Sequence, residues 1–255
     1  MIAAILVEWW KMKRSLVTLT ATALMVILLP AMGLGFFSVA QQGGTGAVAD
    51  KARAMLVGEG WAGYLGAVDQ IAAAAMFVGA GVVVAWMFGR EHADRTFAAL
   101  FALPVPRATV ATAKFIVLSG WAIVLSALVA IVTTGLGLVV DVGPFAIATQ
   151  GPGIVRLFGI ALSTTGLALT IGWVASVGRG YLPAIGAVVL ILGAAQVSVL
   201  FGTGGWFPFA VPGLLAVTGS DGIPPVNAMQ IALVPLTAGL GILATVQWWR
   251  HAEVV

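Results

Sequence analysis

The sequence predicts an all-α membrane protein with six transmembrane helices and with both chain ends in the cytoplasm. Hydrophobic residues make up 61% of the 255 positions and charged residues only 8%, whereas a soluble domain carries roughly a quarter of charged residues. Six apolar runs are each long enough to cross a hydrocarbon core of about 30 Å. The lysines and arginines lie between these runs and mostly on one side. Lipid is therefore the solvent for most of this chain.

The six runs belong to a single transmembrane domain, residues 1–255, and short connections separate them. Gly and Pro in Asp141–Gly153 predict a turn, and Gly178 to Gly180 predict a tight hairpin. Ser38-Val39-Ala40 resembles a signal-peptidase site, but the apolar run before it is about twice the usual length, so we expect it to be retained. The predicted spans are Leu16–Val39, Tyr64–Phe88, Phe115–Val140, Ile154–Val177, Tyr181–Phe201 and Met229–Trp248.

The distribution of lysine and arginine predicts the orientation. With the N-terminus inside, nine of these residues lie in the cytoplasm and three, Lys51, Arg53 and Arg156, lie outside. An even number of spans then returns the C-terminus to the cytoplasm. The same orientation places an aromatic belt at the cytoplasmic interface, formed by Trp9, Trp10, Trp248 and Trp249.

Residues 1–15 have a helical pattern of their own. Ile2, Ile5, Leu6, Trp9 and Met12 recur at helical spacing, and charged residues stand between them. This pattern favours an interfacial helix on the inner membrane surface over a simple cytoplasmic extension of the first span.

Two outer loops are long enough to have structure. Residues 41–63 can form a short helix over Ala47–Val57. Residues 202–228 are apolar but are interrupted by Pro208, Pro212 and several glycines, so they cannot form a span. Irregular backbone at membrane depth persists only where it is buried in protein. We therefore predict a re-entrant or interfacial hairpin before the last span.

The cytoplasmic loop of residues 89–112 is the most charged stretch of the chain. Asp94 or Thr96 can cap a short helix that runs through Leu103, and Pro104 ends it. Pro106 stiffens the exit of the loop. The residues alone leave two interpretations open: this apolar helix inserts into a groove on a soluble partner, or it rests on the membrane surface.

A motif that begins in this loop and ends in the third span consists of Glu91, Thr96, Leu103-Pro104-Val105-Pro106-Arg107 and Lys114. This motif resembles the permeases of type-2 ATP-binding-cassette (ABC) transporters, and the bacitracin-resistance and lantibiotic-immunity branch is nearest in style. The basic start of the chain, from Glu8 to Ser15, resembles the interfacial entry helix of that family, and the six-span layout extends the similarity.

The resemblance implies a permease subunit in a bacterial cell membrane. It would form a dimer, with homodimerisation expected, and would pair with two copies of a separate ABC ATPase. The chain itself would hold no cofactor, because ATP and Mg would bind the partner, and no G-x-x-x-x-G-K-[ST] phosphate loop occurs in it. The ATPase-coupling interface would comprise Glu91, His92, Asp94, Arg95, Thr96, Phe97, Leu100, Phe101, Pro104, Pro106 and Arg107.

Few other polar residues suggest function. Glu91 is expected to form an ion pair with Arg90 or Arg95. Asp69 and Gln196 are possible residues of a substrate path, although Asp69 and Arg156 also suit the outer headgroup region. Without cysteine, and with both histidines away from carboxylate clusters, no metal site is predicted. The basic residues form no stripe for nucleic acid.

These observations predict the permease of an ABC exporter with an apolar or amphipathic cargo, such as a drug, a lipid or an antimicrobial peptide. The alternative is a gradient-driven secondary transporter or channel, which usually carries ionisable residues at the membrane midplane. A membrane-embedded enzyme would need a polar constellation at one depth, and the sequence offers none. A purely structural or assembly subunit is the remaining possibility.

Overall fold

The computed structural model describes residues 1–42, 45–56, 58–94, 105–219 and 224–251, and these ranges are helical with short connections and no strand. Six helices are long and apolar enough to cross a membrane, which confirms the all-α, six-span prediction. Several of them extend beyond the predicted runs. Their bounds are Leu16–Gln41, Gly60–Ala93, Arg107–Val139, Ile147–Val177, Tyr181–Leu200 and Ala228–His251.

The spans run alternately up and down, so the connections divide between two ends of the bundle. One end, called the entry end here, holds the N-terminal helix Ile2–Lys13, the facing ends of the second and third spans, and the end of the sixth. The other end, called the far end, holds the short helix Ala47–Met55. Both described chain ends therefore lie on one side of the bundle.

The N-terminal helix, called the entry helix below, packs against the third span. Glu8 and Met12 are buried, while Ile2, Leu6 and Trp10 are exposed on its other faces. The first span begins at once, since the Ser15 hydroxyl accepts a hydrogen bond from the Thr18 N–H and caps it. The exposed apolar residues of the entry helix are what an interfacial helix needs. The position of this helix on the inner membrane surface stays a prediction.

The second span is the centre of the bundle. Its 34 residues reach about 51 Å at 1.5 Å per residue, well beyond a hydrocarbon core of about 30 Å. Tyr64, Met76 and Phe88 are fully buried along its length. The surplus length carries Arg90 and Glu91 past the apolar part of the bundle at the entry end.

Two spans depart from regular α-helix. The first widens to a π-helical turn over Leu24–Leu28 just before Pro30, which has no N–H to continue the ladder. The fourth is interrupted between Ala168 and Ile171, where successive bonds tighten to three-residue spacing. The sixth span approaches this interruption closely, because a Cβ on Gly241 would lie 2.6 Å from Thr170 Cγ2.

The segment before the sixth span folds back onto the protein. It contains a 3-10 turn, Gly204–Trp206, and a six-residue helix, Val211–Ala216, that packs on the second and fourth spans. The Phe209 ring lies 5.5 Å from the ring of Phe77, which is midway along the second span. The segment thus reaches the level of the bundle centre without crossing it.

Candidate functional site

Four charged side chains from three helices meet at the entry end. Lys114 of the third span places its Nζ 2.7 Å from Glu8 Oε2 of the entry helix and 2.9 Å from Glu91 Oε1 of the second span. Lys11 Nζ lies 2.8 Å from Glu8 Oε1 and 3.1 Å from Glu91 Oε1. Each lysine therefore contacts both carboxylates. We call Glu8, Lys11, Glu91 and Lys114 the charge cluster.

The charge cluster is mostly removed from solvent. Lys114 is 0% exposed, Glu8 2% and Glu91 4%, while the Lys11 side chain keeps 30% of its surface. Buried charges persist only when they are paired, and removing one partner typically costs about 3–5 kcal/mol. Burial alone would lower the pKa of Lys11, but the Glu8 and Glu91 carboxylates beside it raise that pKa above its ordinary value.

An aromatic wall closes the cluster on the side of the sixth span. The ring centroids of Phe88 and Trp249 are 5.9 Å apart, and Lys114 Nζ lies 6.0 Å from each centroid. The Trp249 Nε1–H donates to the Ser176 hydroxyl at 2.8 Å, which ties the sixth span to the fourth.

The prediction that Trp249 belongs to an interfacial belt is therefore wrong. Trp249 is completely buried, because Ser176 supplies the acceptor that its indole N–H would otherwise seek at the headgroups. Trp9 and Trp10 are about half exposed, as such a belt requires.

A family model described as ABC-2 family transporter protein matches residues 4–196, a segment that contains the whole charge cluster. The chain belongs to the ABC-2 family. Members of this family are membrane subunits of transporters; they are not themselves catalytic and generally work with an ATPase subunit. No curated protein and no solved structure matches the chain.

The predicted coupling interface of this permease is described only at its two edges. Asp94 ends the second span, and its backbone N–H donates to the Arg90 carbonyl at 2.8 Å. Pro106 immediately precedes the third span, whose first residue is Arg107. The His92 ring lies 6.0 Å from the Trp248 ring. The other predicted residues lie outside the described ranges: Arg95, Thr96, Phe97, Leu100, Phe101 and Pro104.

Glu91 forms an ion pair as expected, but with other partners than its neighbours in sequence. It contacts Lys11 and Lys114, whereas Arg90 points to Asp94 at 3.9 Å. Glu91 faces inward because its side of the second span packs on the entry helix and the third span. As a buried residue it can influence a docked partner only through the helices that it joins.

Asp69 and Arg156 form a second ion pair near the far end of the permease. Arg156 Nε lies 2.7 Å from Asp69 Oδ2, and Asp69 is 0% exposed. The prediction that Asp69 reaches lipid headgroups is thus wrong, since the fourth span covers it. Among the described residues, the other oxygen, Oδ1, has no hydrogen-bond partner.

Gln196 lines a different feature, a cavity of about 280 Å³ between the second span, the fifth span and the segment before the sixth. Gln70 and Phe209 line the same cavity. Among the described residues that line this cavity Asp69 is not included, so this cavity does not join the two predicted path residues. Gln196 is exposed on the fifth span and not buried against another helix.

Proposed function

We propose that this chain is the permease subunit of an ABC exporter that moves an apolar or amphipathic cargo with ATP hydrolysed by a separate subunit. The observation that carries the proposal is the charge cluster. It joins the entry helix to the two spans that flank the predicted coupling loop. The resemblance to the bacitracin-resistance branch makes an antimicrobial peptide, a drug or a lipid the expected cargo.

The position of the cluster suggests how force is transmitted. Glu91 lies two residues before the end of the second span at Ala93, and Lys114 lies two turns into the third span. A displacement of the loop between these helices therefore moves both of them. Because Glu8 pairs with Lys114, the entry helix and the start of the first span follow. ATP binding by a docked partner would in this way tilt three helices as one unit.

The membrane core supports an apolar cargo over a small ion. Between the level of the charge cluster and Arg90 at one end and the pair of Asp69 with Arg156 at the other, the spans contain no Asp, Glu, Lys or Arg. Gradient-driven transporters usually keep ionisable residues at that depth. The uncharged core disfavours that alternative.

The outer surfaces of the fifth and sixth spans leave room for a second copy of the permease. In the most apolar windows of the fifth and sixth spans only 17% of residues are buried in the chain. These faces need lipid or a second copy of the permease as neighbour. The proposed assembly has two permeases, expected to be identical, and two ATPase subunits in a bacterial cell membrane.

The experiment is affinity purification of the tagged chain from its native membrane in mild detergent. We expect a soluble ATPase with a phosphate-binding loop to purify in a 1:1 ratio. Replacing the apolar loop residues, Phe97→Asp with Phe101→Asp, should release the ATPase and leave the permease monodisperse. The matched control is Val48→Asp on the exposed far-end helix. A chain that purifies without any ATPase, or that keeps it in the loop variant, contradicts the proposal.

A further inference from the structure

An open cavity of about 790 Å³ lies at the entry end, between the entry helix, the start of the first span and the last turns of the second. Its lining combines three cations, Lys11, Arg14 and Arg90, with the carboxylate of Asp94. Three aromatic side chains, Trp10, Trp86 and Tyr181, complete the walls. A positive and aromatic lining at the membrane surface suits an anionic headgroup.

The two arginines are the cations available to a ligand. Lys11 is already held by Glu8 and Glu91. The Arg14 guanidinium stacks 4.8 Å from the Trp10 ring, and within the described part of the chain no carboxylate lies within 4.0 Å of it. The Arg90 guanidinium stacks 4.8 Å from the Trp86 ring, and its distance of 3.9 Å from Asp94 is too long for a hydrogen bond. Stacking through the planar face leaves the N–H edge for a phosphate.

An apolar groove of about 750 Å³ continues from this cavity along the first and second spans. Val17 lines both features, and the groove extends to Met32 on the first span. That stretch rises about 22 Å along the helix, which exceeds the depth of one leaflet at about 15 Å. The groove passes the π-helical turn Leu24–Leu28, and Gly79 opposite lets Met25 approach closely.

We infer that the cavity and groove together bind one acidic phospholipid of the cytoplasmic leaflet. The phosphate lies between Arg14 and Arg90, the aromatic side chains surround the headgroup, and one acyl chain occupies the groove. The inference rests on charge complementarity and on the continuity of the two features at Val17. It is independent of the proposed ATPase partner, since Arg14 and Arg90, which hold the phosphate, are not among the residues of the predicted ATPase-coupling interface.

The test compares lipids of one acyl composition and two headgroup charges. Native mass spectrometry of the delipidated permease should show preferential binding of phosphatidylglycerol over phosphatidylcholine. The double variant Arg14→Gln with Arg90→Gln should bind phosphatidylglycerol about 25-fold more weakly, since each cation near an anionic surface contributes about a factor of five. Arg250→Gln, a cation at the same end but outside the lining, should retain the preference.

A second pair of variants tests the groove. Ala75→Phe fills the groove from the second span and should reduce retention of both lipids, whereas Val189→Phe on the exposed face of the fifth span should not. Arg14→Lys with Arg90→Lys should restore the charge preference if the glutamine variant is impaired only in binding. Equal binding of the two lipids by the unaltered permease would overturn the inference. Displacement of the lipid by millimolar inorganic phosphate would instead indicate a site for a soluble anion.

Discussion

The Lys114 ammonium lies 2.7 Å from the Glu8 carboxylate, although 106 residues separate them in the chain and both side chains are buried. This contact, with those of Glu91 and Lys11, fixes the entry helix against the second and third spans. The two spans flank the predicted docking loop, so the ion pairs lie next to the segment through which a partner would move the membrane helices.

Removing the central cation should destabilise the permease strongly. Lys114→Met keeps the length of the side chain but leaves Glu8 and Glu91 with only Lys11, so we expect a loss of about 3–5 kcal/mol. Thermal unfolding in detergent, followed by fluorescence-detected size exclusion, measures the effect. Lys51→Met, at an exposed position of the far-end helix, is the matched control and should change stability by less than about 0.5 kcal/mol. Equal unfolding temperatures for the two variants would show that the cluster contributes little to stability.

The interaction between Glu8 and Lys114 is measurable by a double-mutant cycle. Glu8→Gln and Lys114→Met should each lower the free energy of unfolding. The loss in the double variant should be about 1–3 kcal/mol smaller than the sum of the two single losses, because no unpaired charge remains from this pair. The exposed pair Asp50 and Arg53, at 2.6 Å, provides the control cycle. Its coupling should stay below about 1 kcal/mol, since solvent screens it. Coupling of similar size in both cycles would contradict the burial argument.

The contact between the fourth and sixth spans predicts opposite effects at two neighbouring glycines. Gly241→Ala would place its Cβ 2.6 Å from Thr170 Cγ2 and 2.8 Å from the Thr170 Cα, so it should cost about 1–3 kcal/mol. Gly239→Ala meets nothing within 4 Å and should stabilise the helix by up to about 1 kcal/mol. Thermal unfolding of the two variants, side by side, checks the sign of each. If Gly241→Ala were the more stable of the two, the close approach at Thr170 would be refuted.

The apolar runs predicted the spans well because each of them must satisfy its backbone hydrogen bonds within one helix. The ends of the spans were less predictable. The second span continues to Ala93, beyond its apolar run, and the thickness of the membrane does not determine where that extension ends. The predicted interface at Trp9 and Trp10 agrees with their exposure, whereas Trp249 is buried.

The ion pairs could not be derived from sequence spacing. Glu91 has Arg90 next to it, yet it pairs across 80 residues with Lys11 and across 23 with Lys114. Which side of a helix faces its neighbours depends on tertiary packing, and that packing also pairs Asp69 with Arg156. The available signal was the concentration of charged residues at three helix ends in a chain with very few of them.

We propose that the charge cluster transmits the ATP cycle of the partner to the membrane helices. The decisive measurement is the ATP hydrolysis rate of the partner ATPase, reconstituted in liposomes with the permease or with its Glu8→Gln, Lys114→Met double variant. That variant keeps the pair of Lys11 with Glu91 and remains neutral at the cluster. We expect that the variant retains the ATPase in equal stoichiometry but loses most of the change in hydrolysis rate that the unaltered permease produces. An unchanged rate in a folded double variant would contradict it.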